Sequence, residues 1–304
     1  MNEPLPTKRL PNTFLIGVTK SGTSSLAFML AQHPDIFLPA RKETFFFSRE
    51  RIYSKGINWY LETHYGSAAK YLVRLDATPN YLTLADKVVP RLLAQYDDPR
   101  QLKIIAIFRN PIERAYSNYW MSVRQGKESL SFLEAIQQEN DRLKNNRTDP
   151  QSGINLINRY IAPGKYSTNL RPYLAQFKRS QFYFLIFDDF IADSVAELGK
   201  LFNFLGLDTK DPIEPLHVNV VTGNRSSAVQ GYIGNRDHLT RQFFRRLMPA
   251  SVRRFFRRSL IMLNKAPFTP PPITEEAKNL LRGVFRTEVE ELEELLDRDL
   301  SQWY

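Results

Sequence analysis

Cysteine is absent from the 304 residues of this chain, which excludes disulfides, thiolate metal sites and cysteine nucleophiles. Histidine is scarce, and the four histidines show no metal-binding spacing such as H-E-x-x-H, so we expect no metal. No apolar run approaches the roughly 18 residues of a spanning helix, and no signal-peptide core precedes Pro11. These absences predict a soluble protein with a cytoplasmic location.

Positive charge is in excess, with 42 lysines and arginines against 32 acidic residues, a net charge of +10 and a pI of about 9.6. Charge of this size implies anionic partners such as nucleotides, sulfated or phosphorylated glycans, nucleic acid or a membrane surface. No nucleic-acid-binding motif accompanies it, so we do not expect nucleic acid.

Short apolar runs alternate with helical patterns along the chain. Three runs, at 13–18, 103–108 and 181–187, predict buried parallel strands, and a fourth ends near Asp76. Helical patterns lie between and after them, at about 22–33, 84–96, 111–125, 130–142, 166–177 and 193–205. The alternation predicts an α/β fold in which a central parallel sheet is flanked by helices.

The C-terminal part of the chain changes in composition. Eight arginines and one acid fall within 236–258, and a proline-rich connector, "APFTPPPI", follows at 266–273. We predict a single domain over 1–304, with a basic helical segment at about 236–265 and a C-terminal helix at about 274–300. Residues 245–263 could contact an anionic membrane, grip an anionic glycan, or remain a solvated face.

The stretch "FLIGVTKSGTSSL" predicts an anion-binding loop between a strand and a helix. Gly17 and Gly22 have the separation found in the P-loop of nucleotide triphosphatases, but Thr23 follows where that motif has lysine. The lysine here, Lys20, comes before the second glycine. Backbone N–H groups of 21–25 would still form a nest for an anion at a helix N-terminus.

A second stretch, "FRNPIERAYSNYW" at 108–120, repeats the strand, loop and helix order. Arg109 leaves the predicted strand, Pro111 suits a first helical turn, and Ser117 follows on the helix. Arginine and serine could hold a phosphate by charge-assisted hydrogen bonds. The alternative is that Arg109 simply pairs with Glu113.

Together, "TKSGTSSL" and "FRNPIERAYSNYW" resemble the sulfotransferases that use 3′-phosphoadenosine 5′-phosphosulfate (PAPS). The segments "ARKETFFFS" (40–48), "DATPNYL" (76–82) and "PGKYSTNLRPYLAQF" (163–177) are similar to the glycan branch, of the heparan sulfate type. The resemblance implies a P-loop-like three-layer fold, PAPS as sulfuryl donor without a metal, and a carbohydrate or glycoconjugate acceptor.

The resemblance also implies roles for individual residues. The 5′-phosphosulfate would be held by Lys20, Ser21, Gly22, Thr23 and Ser24. The 3′-phosphate would be held by Arg109 and Ser117. A late loop closing over the cofactor would contribute Gly223, Asn224 and Arg225.

Two of the implied roles are catalytic. Lys20 would stabilise the departing phosphate, and Glu43 would be the general base, unless Glu43 simply pairs with Arg41 or Lys42 on a solvated loop. Asp76 is a rival base or a turn-capping carboxylate. The sequence departs from the family at two positions: Phe45 replaces a frequent histidine, and Ala77 replaces a lysine. Both departures bear on the identity of the acceptor.

Two other classes of protein remain open at this stage. A P-loop kinase or NTPase is disfavoured by the missing lysine after Gly22, and Asp188 is the one good candidate for its magnesium ligand. The other class is a non-catalytic anion- or membrane-binding protein that keeps the fold.

Overall fold

A computed structural model describes residues 9–145, 158–208, 213–215, 222–224 and 265–304. Its main sheet has five parallel strands in the order β2-β3-β1-β4-β5. These strands are β1 (Thr13–Gly17), β2 (Ile36–Phe37), β3 (Val73–Ala77), β4 (Lys103–Phe108) and β5 (Phe182–Ile186). Every residue of β1 is buried, as expected for a strand covered on both faces.

In the described residues, α-helices separate and follow these strands. The first six are α1 (Thr23–Leu30), α2 (Glu50–Tyr53), α3 (Gly56–His64), α4 (Asn80–Thr83), α5 (Ala85–Leu93) and α6 (Pro111–Arg124). The rest are α7 (Phe132–Gln137), α8 (Glu139–Asn145), α9 (Tyr166–Leu174), α10 (Phe187–Ala192), α11 (Ser194–Leu205) and α12 (Glu275–Leu296). The helix expected over 130–142 is two helices, because the chain turns at Gln138.

Side chains of the central strands alternate between two hydrophobic clusters, one on each face of the sheet. Phe14 and Ile104 belong to the cluster that includes residues of α5, α9 and α12. Leu15 and Ile105 belong to the cluster that includes residues of α1 and α11. The three layers predicted from the sequence are therefore confirmed.

Two further strands form an antiparallel pair beside the C-terminal connector: β6 (Thr222–Asn224) and β7 (Lys265–Pro267). Apart from Lys265, the predicted basic helical segment at 236–265 lies outside the described residues, as does the contact surface at 245–263. The predicted C-terminal helix is present as α12, and Thr274 caps it by accepting from the N–H of Ala277. None of the helices in the described ranges is long and apolar enough to cross a membrane.

Candidate functional site

The two predicted anion loops meet at one edge of the sheet. Strands β1 and β4 are parallel neighbours, so their carboxyl ends lie side by side. The N–H of Val18 donates to the carbonyl of Ile107 at 3.1 Å, and the Arg109 guanidinium reaches the carbonyl of Lys20 at 3.5 Å. Segments about ninety residues apart in the chain thus build one site.

The loop after β1 is shaped by two left-handed residues, Lys20 (φ 76°) and Gly22 (φ 80°). Gly22 is the N-cap of α1 and offers no side-chain oxygen, so the first N–H groups of that helix receive no cap from it. The hydroxyl of Ser21 is fully buried and has no hydrogen-bond partner within the part of the chain described. Thr23 is buried beside it, and Ser24 accepts a hydrogen bond from Lys42.

The Lys20 ammonium lies in a strongly positive, partly dry environment. Burial, with the nearby charges of Arg124, Arg109 and Arg114, lowers the pKa of Lys20 from its usual 10.5 to about 8. Among the described residues, no carboxylate or hydrogen-bond acceptor pairs with this ammonium. The loop therefore presents a cation with unused bonding capacity.

The second loop leads into α6, which is capped by Asn110 and begins at Pro111. Arg109 forms the pair with Glu113 that the sequence left open, at 2.8 Å, although half of the Glu113 side chain remains exposed. A cavity of about 320 Å³ opens beside this pair. It is lined by Arg109, Glu113, Tyr116, Ser117, Trp120, Arg124, Pro270 and Ile273. The structure thus brings Arg109 and Ser117 together.

One buried arginine near this site was not singled out from the sequence. Arg114 is fully buried on α6, and its Nη2 donates to the carbonyl of Tyr160. Its Nε and Nη1 have no partner within the described segments, and burial lowers its pKa. Because buried polar atoms are nearly always paired, these two groups mark a place where an anion or water would be stabilised.

Glu43 follows β2 on a segment with unusual backbone geometry. Glu43 and Phe45 have φ of 63° and 56°, and Thr44 between them is buried. The Glu43 side chain is 40% exposed, and its ion-pair partner in the described part is Lys42, with 3.5 Å between Nζ and Oε1. A carboxylate so placed can accept a proton from a bound molecule.

Asp76, the rival base, lies at the end of β3 and has no exposed surface. Four hydroxyl groups donate to its carboxylate at 2.6–3.0 Å, from Thr44, Tyr60, Thr78 and Tyr81. A carboxylate enclosed in this way cannot reach an acceptor without displacing its donors. The structure therefore favours a structural role for Asp76 over the role of a base. One of its four donors, Thr78, belongs to the turn that Asp76 was predicted to cap.

The two departures from the family pattern occupy different surroundings. Phe45 lies beneath the guanidinium of Arg49, with 3.8 Å between the guanidinium carbon and the ring centre. Ala77 is buried at the end of β3. Phe45 is thus partly exposed beside Glu43, whereas Ala77 is in the protein interior.

The predicted late loop is described only in part. Gly223 and Asn224 are in β6, where they pair with Ala266 and Lys265 of β7, and Arg225 lies outside the described residues. The connector that continues from β7 reaches the cavity. There the hydroxyl of Tyr116 donates to the carbonyl of Pro271, and Ile273 lines the wall. The ring of Phe268 packs against that of Trp120, with 4.8 Å between the ring centres.

Sequence reasoning gave no functional role to four residues at the site: Lys42, which it named only as a possible ion-pair partner of Glu43, and Arg114, Trp120 and Arg124. Arg124 could have been found, because it follows Ser117 by seven residues, two helical turns along one face. Lys42 and Arg114 carried no local signal, since charged residues are ordinarily expected on the surface. Within the described segments, no three His, Asp or Glu side chains form a group that could hold a metal.

Comparison with known proteins shows which family has a similar sequence and fold. A model of the sulfotransferase domain family matches residues 10–263. The crystal structure of a sulfotransferase from Alicyclobacillus acidocaldarius aligns with a TM-score of 0.67 and 26% identity, covering 97% of this chain and 98% of that one.

Two similar proteins carry names that state action on heparan sulfate. Heparan sulfate glucosamine 3-O-sulfotransferase 3B1 of Homo sapiens is 30% identical over 205 residues, covering 66% of this chain and 47% of that protein. The bifunctional heparan sulfate N-deacetylase/N-sulfotransferase 2 of Bos taurus is 29% identical over 209 residues, covering 66% and 22%. The chain spans about half the length of the 3-O-sulfotransferases it matches.

Proposed function

Since this chain belongs to the sulfotransferase family, as its sequence motifs predicted, we propose that it transfers a sulfuryl group from PAPS to a carbohydrate or glycoconjugate. The attacked group would be a hydroxyl or an amine. The observation that carries the proposal is the meeting of the Lys20 loop with the cavity of Arg109 and Ser117 at one sheet edge. The heparan sulfate relatives support a glycan acceptor.

The residues at this edge fit a donor with an anionic group at each end. The Ser21 hydroxyl and the Lys20 ammonium lack partners in the described part of the chain, and both are in the loop before α1. Arg109 faces the cavity, and two nitrogen atoms of Arg114 nearby have no partner among the described residues. Such groups are costly to hold without an anion, which favours a ligand that supplies two.

We assign the two anion sites as follows. The 5′-phosphosulfate would be bound by Lys20, Ser21, Gly22, Thr23 and Ser24, and the 3′-phosphate by Arg109 and Ser117. The late loop would contribute Gly223, Asn224 and Arg225. When bound, PAPS supplies the sulfuryl group and leaves as the bisphosphate.

The chain's own residues would act by placing charge and by accepting a proton. By analogy with phosphoryl transfer, a loose transition state is stabilised chiefly by positioning and electrostatics. Lys20 would neutralise negative charge that gathers on the departing phosphate. Glu43 would take the proton from the attacking hydroxyl or amine, which requires no metal.

The kinase or NTPase alternative has little support in the site. Thr23 stands where a P-loop lysine would follow Gly22, and Asp188 is exposed at the start of α10 beside the edge strand β5. A non-catalytic anion-binding protein would bind the same bisphosphate without transfer. The metal-free chemistry, the single domain, the cytoplasmic location and the contact through 245–263 stay predictions.

Thermal stabilisation by 3′-phosphoadenosine 5′-phosphate (PAP), compared with ATP and magnesium, tests the proposal. A ligand that binds only the folded state at 100 times its Kd adds about 2.7 kcal/mol of stability. We expect PAP to raise the Tm and Mg-ATP to have little effect. A clear shift with Mg-ATP and none with PAP would overturn the sulfotransferase assignment.

Sulfate transfer to heparan sulfate then tests the base. Glu43→Gln should reduce transfer by at least about a hundredfold while PAP still binds, because base catalysis typically contributes 10²–10⁴. PAP binding to the wild type without any transfer would support the non-catalytic alternative. Undiminished transfer by Glu43→Gln would refute the assignment of Glu43.

A further inference from the structure

A lysine outside both anion loops, Lys42, lies between the candidate donor site and the candidate base. Its Nζ donates to Ser24 Oγ at 3.2 Å and lies 3.5 Å from Glu43 Oε1. Only 9% of its side chain is exposed. The ammonium thus bridges the first turn of α1 and the segment that carries Glu43.

The partners of this ammonium satisfy it poorly. The Glu43 oxygen is at the limit of hydrogen-bond distance and belongs to a side chain that is 40% exposed, and Ser24 is neutral. Burial lowers the pKa of Lys42 even though Glu43 and Asp76 act in the opposite direction. A buried cation with weak compensation is stabilised when an anion arrives beside it.

The position of Lys42 also indicates which part of a ligand it would meet. Ser24 is two residues after the N-cap Gly22, so the Lys42 ammonium is one hydrogen bond away from the loop assigned to the 5′ end of the donor. On its other side is Glu43, which faces the acceptor in the proposed reaction. The group that passes from donor to acceptor is the sulfuryl group.

We propose that Lys42 is a second catalytic cation, which contacts an oxygen of the sulfuryl group during transfer. This inference rests on the proposed function. The acceptor atom forms a bond to sulfur while the bond from sulfur to the bridging oxygen breaks, and that electron pair stays on the 5′-phosphate. Glu43 receives the acceptor proton. Lys42 keeps its own proton and exchanges a hydrogen bond to Ser24 or Glu43 for one to the sulfuryl oxygen.

The proposed role of Lys42 differs from that of Lys20 in the ligand atoms contacted, which are sulfuryl oxygens for Lys42 and phosphate oxygens for Lys20. PAP has no sulfuryl group, so removal of the Lys42 charge should leave PAP affinity within about twofold of wild type. PAPS has the group, and a charge-assisted hydrogen bond of about 1.5–3 kcal/mol corresponds to a Kd increase of roughly tenfold or more. Removal of the Lys20 charge should weaken the binding of both PAP and PAPS, because the Lys20 ammonium would contact the 5′-phosphate that both ligands have.

Isothermal titration of PAP and PAPS into Lys42→Met, Lys20→Met and the surface variant Lys70→Met tests this directly. We expect Lys42→Met to lose affinity for PAPS selectively, Lys20→Met to lose affinity for both, and Lys70→Met to match wild type. Lys42→Arg, which keeps the charge, should recover part of the PAPS affinity. Should Lys42→Met fail to fold, Lys42→Gln provides the same comparison.

The outcomes distinguish this inference from the proposed function. If wild type binds neither PAP nor PAPS, both fail. If wild type binds both and Lys42→Met binds PAPS as tightly as wild type does, only the role of Lys42 is refuted. Equal loss of PAP and PAPS affinity in Lys42→Met would also refute it, because Lys42 would then support the loop and not contact the sulfuryl group.

Discussion

The side chain of Thr44 joins the segment that carries Glu43 to the buried carboxylate of Asp76, and its replacement by valine tests that link. Thr44 Oγ1 donates to Asp76 Oδ2 at 2.8 Å. The neighbouring residues, Glu43 and Phe45, have left-handed φ values, which cost of order 1–3 kcal/mol each and need support from the surroundings. We therefore expect Thr44→Val to lower both stability and sulfate transfer.

Valine keeps the shape of threonine, so the loss of stability comes from hydrogen bonds. The strongest is the bond to Asp76, and Thr44 Oγ1 also accepts from the Phe46 N–H at 3.4 Å and lies 3.2 Å from the Tyr81 hydroxyl. A hydrogen bond to a charged group contributes about 1.5–3 kcal/mol. An unfolding entropy of about 2.1 cal/mol/K per residue makes 1 kcal/mol worth about 1.6 °C for 304 residues, so the Tm should fall by about 2–5 °C. Asp76 would keep three hydroxyl donors, from Tyr60, Thr78 and Tyr81.

Tyr60→Phe is the matched control for this variant. It removes a 2.6 Å hydrogen bond to the same Oδ2 from α3, and it keeps the ring that stacks on Phe46. Both variants should lower the Tm by similar amounts in differential scanning calorimetry, but only Thr44→Val should reduce transfer more than about tenfold, and Thr44→Ser should restore it. Wild-type transfer by Thr44→Val, with the same fall in Tm, would refute the claim that this bond positions Glu43.

Three more perturbations test the anion site. The pKa of Lys20 is lowered to about 8 in the free protein, and a bound anion favours the charged form of this side chain. PAP affinity should therefore fall as pH rises from about 8 towards 10.5, and calorimetry should show proton uptake on binding. A pH-independent Kd would contradict this. Glu113→Gln should strengthen PAP binding about 1.5- to 5-fold, because an exposed pair worth about 0.2–1 kcal/mol no longer competes for Arg109; weaker binding would mean that Glu113 orients the arginine. Gly22→Ala should cost more stability in urea unfolding than Gly56→Ala, since both have φ near 80° but only the first would place a Cβ 3.0 Å from a phenylalanine ring; equal losses would exclude that clash.

The sequence predicted two anion loops that each follow a strand, and their resemblance to PAPS-dependent sulfotransferases assigned both to one cofactor; the structure shows why they meet. Parallel strands end at the same edge of a sheet, so loops that follow adjacent strands must meet, and β1 and β4 are adjacent. Helix starts with local chemistry were equally visible, as Pro111 and Thr274 illustrate. The two-residue strand β2 carried too few residues for any periodicity to indicate it.

The roles of the acidic residues could not be predicted in the same way. Asp76 is enclosed because hydroxyl donors come from residues 44, 60, 78 and 81, which only the tertiary structure brings together. Lys42 has only 9% of its side chain exposed, and the neighbouring Glu43 adopts a left-handed φ, which residues other than glycine rarely do; neither feature could be read from the local sequence. The family resemblance therefore made Glu43 a candidate but gave no account of what surrounds it.

The distribution of charge explains why the anion loops were visible in the sequence and the nearby buried cations were not. Anion loops are built from backbone N–H groups, glycine and hydroxyl side chains in fixed order, so their chemistry is written locally. The two cations beside the candidate site, Lys42 and Arg114, are largely or fully buried, and within the described residues they are incompletely paired, which opposes the stability of the ligand-free fold. Such residues are retained against local expectation where function requires them, which makes their burial a stronger indication of an anionic ligand than the loops alone.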